Sequence, residues 1–175
     1  MAFELAQNER TSKYFAGIAP MVALPLYGFN FGPVTPTHLI GAWGLDDALI
    51  NPQWGGDPDY PDRSYVSPYN TLAVTTADAV TAKWAEVMNC GPKKTRPSKF
   101  DVVENCWQYK NCEGGAKVIG CIFTLYPKCR FPSPYLGDFI LGFLEHTCYA
   151  EFEILPMLDF MSRNSKPVPS AVDFN

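Results

Sequence analysis

All six cysteines of this chain, Cys90, Cys106, Cys112, Cys121, Cys129 and Cys148, lie in its second half. An even set of this size in a chain of 175 residues predicts disulfides and an oxidising compartment. Spacing alone assigns no pairing, since six cysteines allow fifteen. Reduced, buried cysteines in a cytosolic protein are the less favoured alternative. A zinc site is disfavoured as well. No Cys-x-x-Cys occurs, and the two histidines, His38 and His146, are far apart in sequence. No other cofactor or metal is expected. The run Trp54 to Asp62 is rich in aspartate but lacks the ordered spacing of a calcium loop. An oxidising destination calls for an export signal. Met1 to Arg10 has neither a basic start nor an apolar run after it. That mismatch predicts a parent protein whose N-terminal part lies upstream of Met1.

Charge narrows the function classes. A net charge of -4 argues against nucleic-acid binding, which normally shows a basic face. The one dense basic run, Lys93-Lys94-Thr95-Arg96, is bracketed by Pro92 and Pro97 and reads as a solvated loop. No segment reads as membrane-spanning. The most apolar stretch, Tyr14 to Phe31, is interrupted by Pro20, Pro25 and several glycines.

The hydrophobic pattern alternates helix and strand. Phe3, Leu5 and Ala6 give a short first helix its apolar side. Tyr14 to Pro20, Thr37 to Trp43 and Lys117 to Phe123 read as buried strands. The clearest helix runs from Ala77 to Asn89, with Ala77, Val80, Trp84, Val87 and Met88 on one face. Thr75 and Asp78 have the spacing of a capping box, and Gly91-Pro92 closes the helix. Residues 51–70 read as a long loop. A last helix is expected from about Ala150 to Arg163, before a disordered tail at 165–175. The order predicts an α/β layered fold within a single domain, residues 1–164.

In such sheets the chemistry gathers beyond the carboxyl ends of the strands. Asp46 and Asp47 follow directly on Trp43-Gly44-Leu45. A carboxylate there can accept the Nδ1 proton of a histidine, fix its tautomer and stabilise the imidazolium of acyl transfer. Two aspartates at a strand end also begin turns well, so position alone leaves both roles open.

Several segments together resemble the polyhydroxybutyrate depolymerase and feruloyl/acetylxylan esterase group of α/β-hydrolases. Met1-Ala2-Phe3-Glu4-Leu5-Ala6 is similar to the helix after that group's nucleophile elbow. Phe15 to Pro20 resembles the strand that follows. Gly44-Leu45-Asp46-Asp47, then Ile50-Asn51-Pro52, resembles the segment carrying the triad acid, with Trp43 where the group has histidine. Trp84 to Cys90 resembles the next helix, and Val118 to Phe123 the strand leading to the catalytic histidine. The resemblance spans about residues 1–123 and returns more loosely near the C-terminus. It implies the C-terminal part of an α/β-hydrolase sheet flanked by helices, without its N-terminal strands and nucleophile elbow. It also implies that Asp47 is the triad acid.

Two departures qualify that implication. No Gly-x-Ser-x-Gly occurs, and Ser12, Ser64, Ser67, Ser98 and Ser133 have no flanking glycines. On the alignment above, the serine falls a few residues before Met1. Nor does a histidine follow Cys121-Ile122-Phe123 closely. The next is His146, in Glu145-His146-Thr147-Cys148, so residues 124–143 read as an insertion. His146 is then either the triad base or a structural histidine. His38, on a strand, reads as structural. Trp43, Trp54, Tyr60, Tyr65 and Tyr69 read as packing rather than as an aryl or sugar subsite.

Two functions follow. In one, the parent protein is a secreted carboxylic-ester hydrolase working by Ser-Asp-His acyl transfer on a small-molecule, polyester or polysaccharide-linked ester. In the other, the chain is a non-catalytic secreted binding protein on a degenerate esterase fold. A half-sheet also exposes an edge strand, so the isolated chain is expected to self-associate.

Overall fold

A computed structural model describes residues 2–21, 23–45, 63–65, 73–96 and 105–123. The chain opens with α1 (Ala2–Gln7), which buries Phe3 and Ala6. Its last carbonyls are satisfied from outside the helix. The Thr11 hydroxyl donates to Leu5 at 2.7 Å, and the Val34 N–H donates to Ala6 at 3.0 Å. The strands in chain order are β1 (Gly17–Ile18), β2 (His38–Gly44), β3 (Arg63–Tyr65), β4 (Ala73–Thr75), β5 (Lys94–Thr95), β6 (Asn105–Tyr109) and β7 (Val118–Phe123). Helix α2 (Ala77–Val87) stands between β4 and β5.

The main sheet is mixed, in the order β1-β2-β7-β6-β5. β1, β2 and β7 run parallel, and β6 and β5 continue the sheet antiparallel. β3 and β4 form a separate antiparallel pair. The α/β layering is therefore present, with a sheet only partly parallel.

β1 is shorter than the apolar run Tyr14 to Pro20 suggests. Tyr14 lies in a 3-10 turn and is 62% exposed. Pro20 has no N–H for a ladder, but its carbonyl accepts from Ala42 at 3.1 Å, and Met21 bridges to Ala42.

β2 and β7 hold the centre. Leu39, Gly41 and Trp43 pair with Val118, Gly120 and Ile122 on one face, and Ile40 and Ala42 pair with Ile119 and Cys121 on the other. Both faces are buried, as parallel strands in layered folds generally are. That is why both strands read as continuous apolar runs.

On the first face the core gathers α1, α2, β2 and β7 around Trp43 and Trp84. α2 presents Ala77, Val80, Thr81, Trp84 and Ala85 to it. Each buried indole finds an acceptor. Trp43 Nε1 donates to the Ala23 carbonyl at 2.9 Å, and Trp84 Nε1 to the Thr37 carbonyl at 3.0 Å.

The ends of α2 differ from the sequence reading. Thr76, not Thr75, is the N-cap, and its side chain accepts from Ala79 N–H at 3.3 Å. At the other end Asn89 takes φ +47°. Asn89 N–H donates to Glu86 at 3.1 Å, and Cys90 N–H to Ala85 at 2.9 Å, the two bonds of a Schellman motif. Asn89 thus ends the helix before Gly91 is reached.

The four cysteines in the described residues form two disulfides, Cys90–Cys112 and Cys106–Cys121. Cys106 and Cys121 stand opposite each other on β6 and β7, on the face turned away from α2. Cys90–Cys112 clasps the end of α2 to the connection between β6 and β7. Beside it, Gly91 N–H donates to Lys110 and Glu113 N–H to Met88, both at 2.7 Å. Two such bridges point to an oxidising setting. Among the described residues no helix is long and apolar enough to cross a membrane.

Candidate functional site

The carboxyl ends of β2 and β7 lie side by side. Their parallel register runs from Leu39 opposite Val118 to Gly44 opposite Phe123, so both strands end level. The chain leaving β2 passes through Leu45 into Asp46 and Asp47. The chain leaving β7 enters residues 124–143 and then His146. Asp46, Asp47 and His146 themselves lie outside the described residues. So do the insertion at 124–143, the loop at 51–62 and 66–70, the helix expected at 150–163, the tail at 165–175, Trp54, Tyr60, Tyr69, Cys129 and Cys148.

His38 has a structural contact: its Nδ1 accepts from the Lys117 backbone N–H at 3.0 Å, tying the starts of β2 and β7 together. Trp43 belongs to the core and is fully buried. The basic run is not a free loop. Lys94 and Thr95 pair with Tyr109 and Gln108, Lys94 is bonded to Asp78, and its Nζ lies 5.7 Å from the Trp107 ring centroid. Burial pushes the Tyr109 hydroxyl above its ordinary pKa; nearby Lys94 opposes this and Asp78 adds to it.

A cleft that sequence reasoning missed opens between α1 and residues 23–31. It holds about 520 Å³ and is lined by Phe3, Leu24, Leu26, Phe29 and Phe31, with Gln7 among them. Phe29 and Phe31 meet edge to face at 6.2 Å and are 61% and 63% exposed. Gln7 Nε2 is buried and has no hydrogen-bond partner among the described residues. The available signal was the pair of phenylalanines two residues apart within a Pro/Gly-rich stretch. Among the described residues, no group of three or more His, Cys, Asp or Glu side chains could hold a metal ion.

No family model, no curated protein and no solved structure matches this chain.

Proposed function

We propose that this chain supplies the acid and the base, Asp47 and His146, of a secreted serine-dependent carboxylic-ester hydrolase of α/β-hydrolase type. The observation that carries the reading is the level ending of two adjacent parallel strands, Gly44 opposite Phe123. One strand runs into Asp47 and the other toward His146. The order supports it too, since α1, β1, β2, α2 and β7 come in the sequence that the resemblance leads one to expect, with β3 and β4 before α2 and β5 and β6 after it. In this reading the Asp47 carboxylate accepts the Nδ1 proton of His146. His146 Nε2 then takes the serine proton as the acyl bond forms and returns it to the leaving alcohol. The chain has no Gly-x-Ser-x-Gly, so the serine belongs to a part of the parent protein outside these 175 residues. The substrate class is a small-molecule, polyester or polysaccharide-linked ester.

The test is p-nitrophenyl acetate hydrolysis by the parent protein, with Asp47→Asn and His146→Ala alongside. The expected loss in kcat is about 10⁴-fold for Asp47→Asn and about 10⁶-fold for His146→Ala, with the melting temperature unchanged. Wild-type rates in both variants would sink the reading. Within the 175-residue chain, proton NMR reads the pair directly. An imidazole N–H bonded to a carboxylate resonates far downfield, and that signal should vanish in either variant.

A second reading, a non-catalytic binding protein, is favoured by the cleft beside Phe29 and Phe31. A parent protein that lacks esterase activity but binds an apolar ligand there would select it.

A further inference from the structure

The main sheet buries two faces, and the two described helices pack on only one of them. α1 and α2 bury their apolar residues with Leu39, Trp43, Val118 and Ile122 on the first face. The apolar loop residues Leu24, Met88 and Ala116 join that same cluster. The second face carries Ile40 and Ala42 from β2, Ile119 and Cys121 from β7, and Cys106 from β6. None of these five belongs to the first cluster. Yet Ile40 is 1% exposed, Ile119 3%, and none of the five more than 9%. Water is excluded from them within a single chain, so a further segment of this chain covers the face. A sheet with a parallel centre is normally covered by helices on both sides.

The relief of the face selects the cover. Ile40 stands opposite Ile119, then Ala42 opposite Cys121, and the buried Gly44 comes next on that side of β2. Beyond the isoleucine pair the side chains are small. At the density of protein interiors, the space above them is filled by long side chains from the facing layer. Residues 153–163, outside the described residues, carry such side chains at helical spacing. Ile154, Met157, Leu158 and Met161 fall at i, i+3, i+4 and i+7, and Asp159, Ser162 and Arg163 fall on the other side. Pro156 interrupts a helix begun at Ala150. In one begun at Glu153 it lies in the first turn, where no N–H donor is required. Eleven residues make a helix of about 16 Å, close to the roughly 20 Å of the six-residue β7. Methionine, flexible and unbranched, suits the uneven ground above Ala42 and Gly44. The rival stretch, residues 136–144, is apolar too, but Gly137 and Gly142 each weaken it as a helix by about 1 kcal/mol.

We propose that the second face of the sheet is the docking surface for residues 153–163, with Ile154, Met157, Leu158 and Met161 laid over Ile40, Ala42 and Ile119. The inference is independent of Asp47 and His146 and stands whether or not the protein is an esterase.

The test is methyl NMR of the full chain, labelled at the isoleucine δ1 and methionine ε carbons. Met157→Leu and Met161→Leu assign the two methionine signals and, as volume-conserving changes, should leave the fold intact. Nuclear Overhauser effects are expected between the Ile40 or Ile119 methyl and the Met157 or Met161 methyl. Leu158→Asp should lower the urea midpoint and raise the fluorescence of an added apolar dye, whereas Asp159→Ala, on the other side of the same helix, should change neither. The proposal is overturned if the Ile40 and Ile119 methyls meet Ile140, or no residue of 153–163. It is also overturned if Leu158→Asp and Asp159→Ala behave alike.

Discussion

Replacing Cys90 and Cys112 together by serine tests the clasp at the end of α2. The disulfide joins residues separated by 22 positions. In the chain-entropy treatment, opening a loop of that length frees the unfolded state by about 3.4 kcal/mol at room temperature. The folded state loses little else. Gly91 N–H to Lys110, Glu113 N–H to Met88 and Asn89 Nδ2 to Glu113 Oε2 at 2.9 Å still hold the same segments together. Both cysteines are only half-buried, so serine hydroxyls there keep access to water. The assay is urea unfolding followed by tryptophan fluorescence, since Trp43 and Trp84 are fully buried and should change on unfolding. With a slope of about 2 kcal/mol/M, the midpoint should fall by about 1.7 M. A loss under about 1 kcal/mol at unchanged slope would refute the reasoning, because the bridge would not then be restricting the unfolded chain. Peptide mapping that joined Cys90 to any other cysteine would refute it more directly.

Gly41→Ala should cost about 1–3 kcal/mol by overpacking, because a Cβ there would fall 1.9 Å from the Trp43 ring; wild-type stability in the same urea assay would show that the ring can move aside. Thr76→Ala should lower stability by about 1 kcal/mol through loss of the α2 cap, whereas Thr75→Val should not, and calorimetry that ranked them the other way would return the cap to Thr75. Tyr109 predicts an alkaline limb. Its folded pKa lies above the unfolded value, so above pH of about 10 the unfolded chain releases a proton that the native chain still holds, and stability falls as pH rises through that window. Tyr109→Phe should flatten this limb in urea melts across the range, and an identical limb in the variant would remove Tyr109 as its source.

Legibility followed the physics of each element. β2 and β7 were readable to within a residue because both of their faces are buried, which removes polar residues from the run. α2 was readable because its apolar positions recur at helical spacing. Its cap was misplaced by one residue because two threonines stand side by side, and only the φ/ψ of Thr76 and its bond to Ala79 decide between them. β6 was missed because its two faces do different work. Trp107 and Tyr109 turn toward α2, where Trp107 Nε1 donates to Thr81 Oγ1 at 3.0 Å, while Cys106 turns the other way to bond Cys121. Asn105-Cys106-Trp107-Gln108-Tyr109 therefore shows neither clean alternation nor a continuous apolar run. β5 was missed for a different reason. Its two residues look like a basic loop until Tyr109 and Gln108 lie opposite them.

The disulfide pairing and the candidate triad share one difficulty: both depend on which strands become neighbours. Cys106 meets Cys121 because β6 folds back on β7 as a hairpin, a local event. The approach proposed for Asp47 and His146 would depend on β2 and β7 pairing in parallel, and a parallel pair requires a long crossover. That crossover here contains α2, with the β5 and β6 strands following it before β7 begins. Sequence spacing between Asp47 and His146 therefore carries no information about their distance. The register that levels Gly44 with Phe123 brings the chain entering Asp46 and the chain entering residue 124 to one edge of the sheet. Lengthening the connection within 124–143 should accordingly leave the strand pairing intact while loosening any Asp47–His146 contact. The downfield imidazole resonance would then weaken, whereas the tryptophan-monitored unfolding midpoint would stay in place. A drop in both together would mean that the residues after Phe123 help to hold the sheet, and the two strand ends would no longer suffice as the basis of the site.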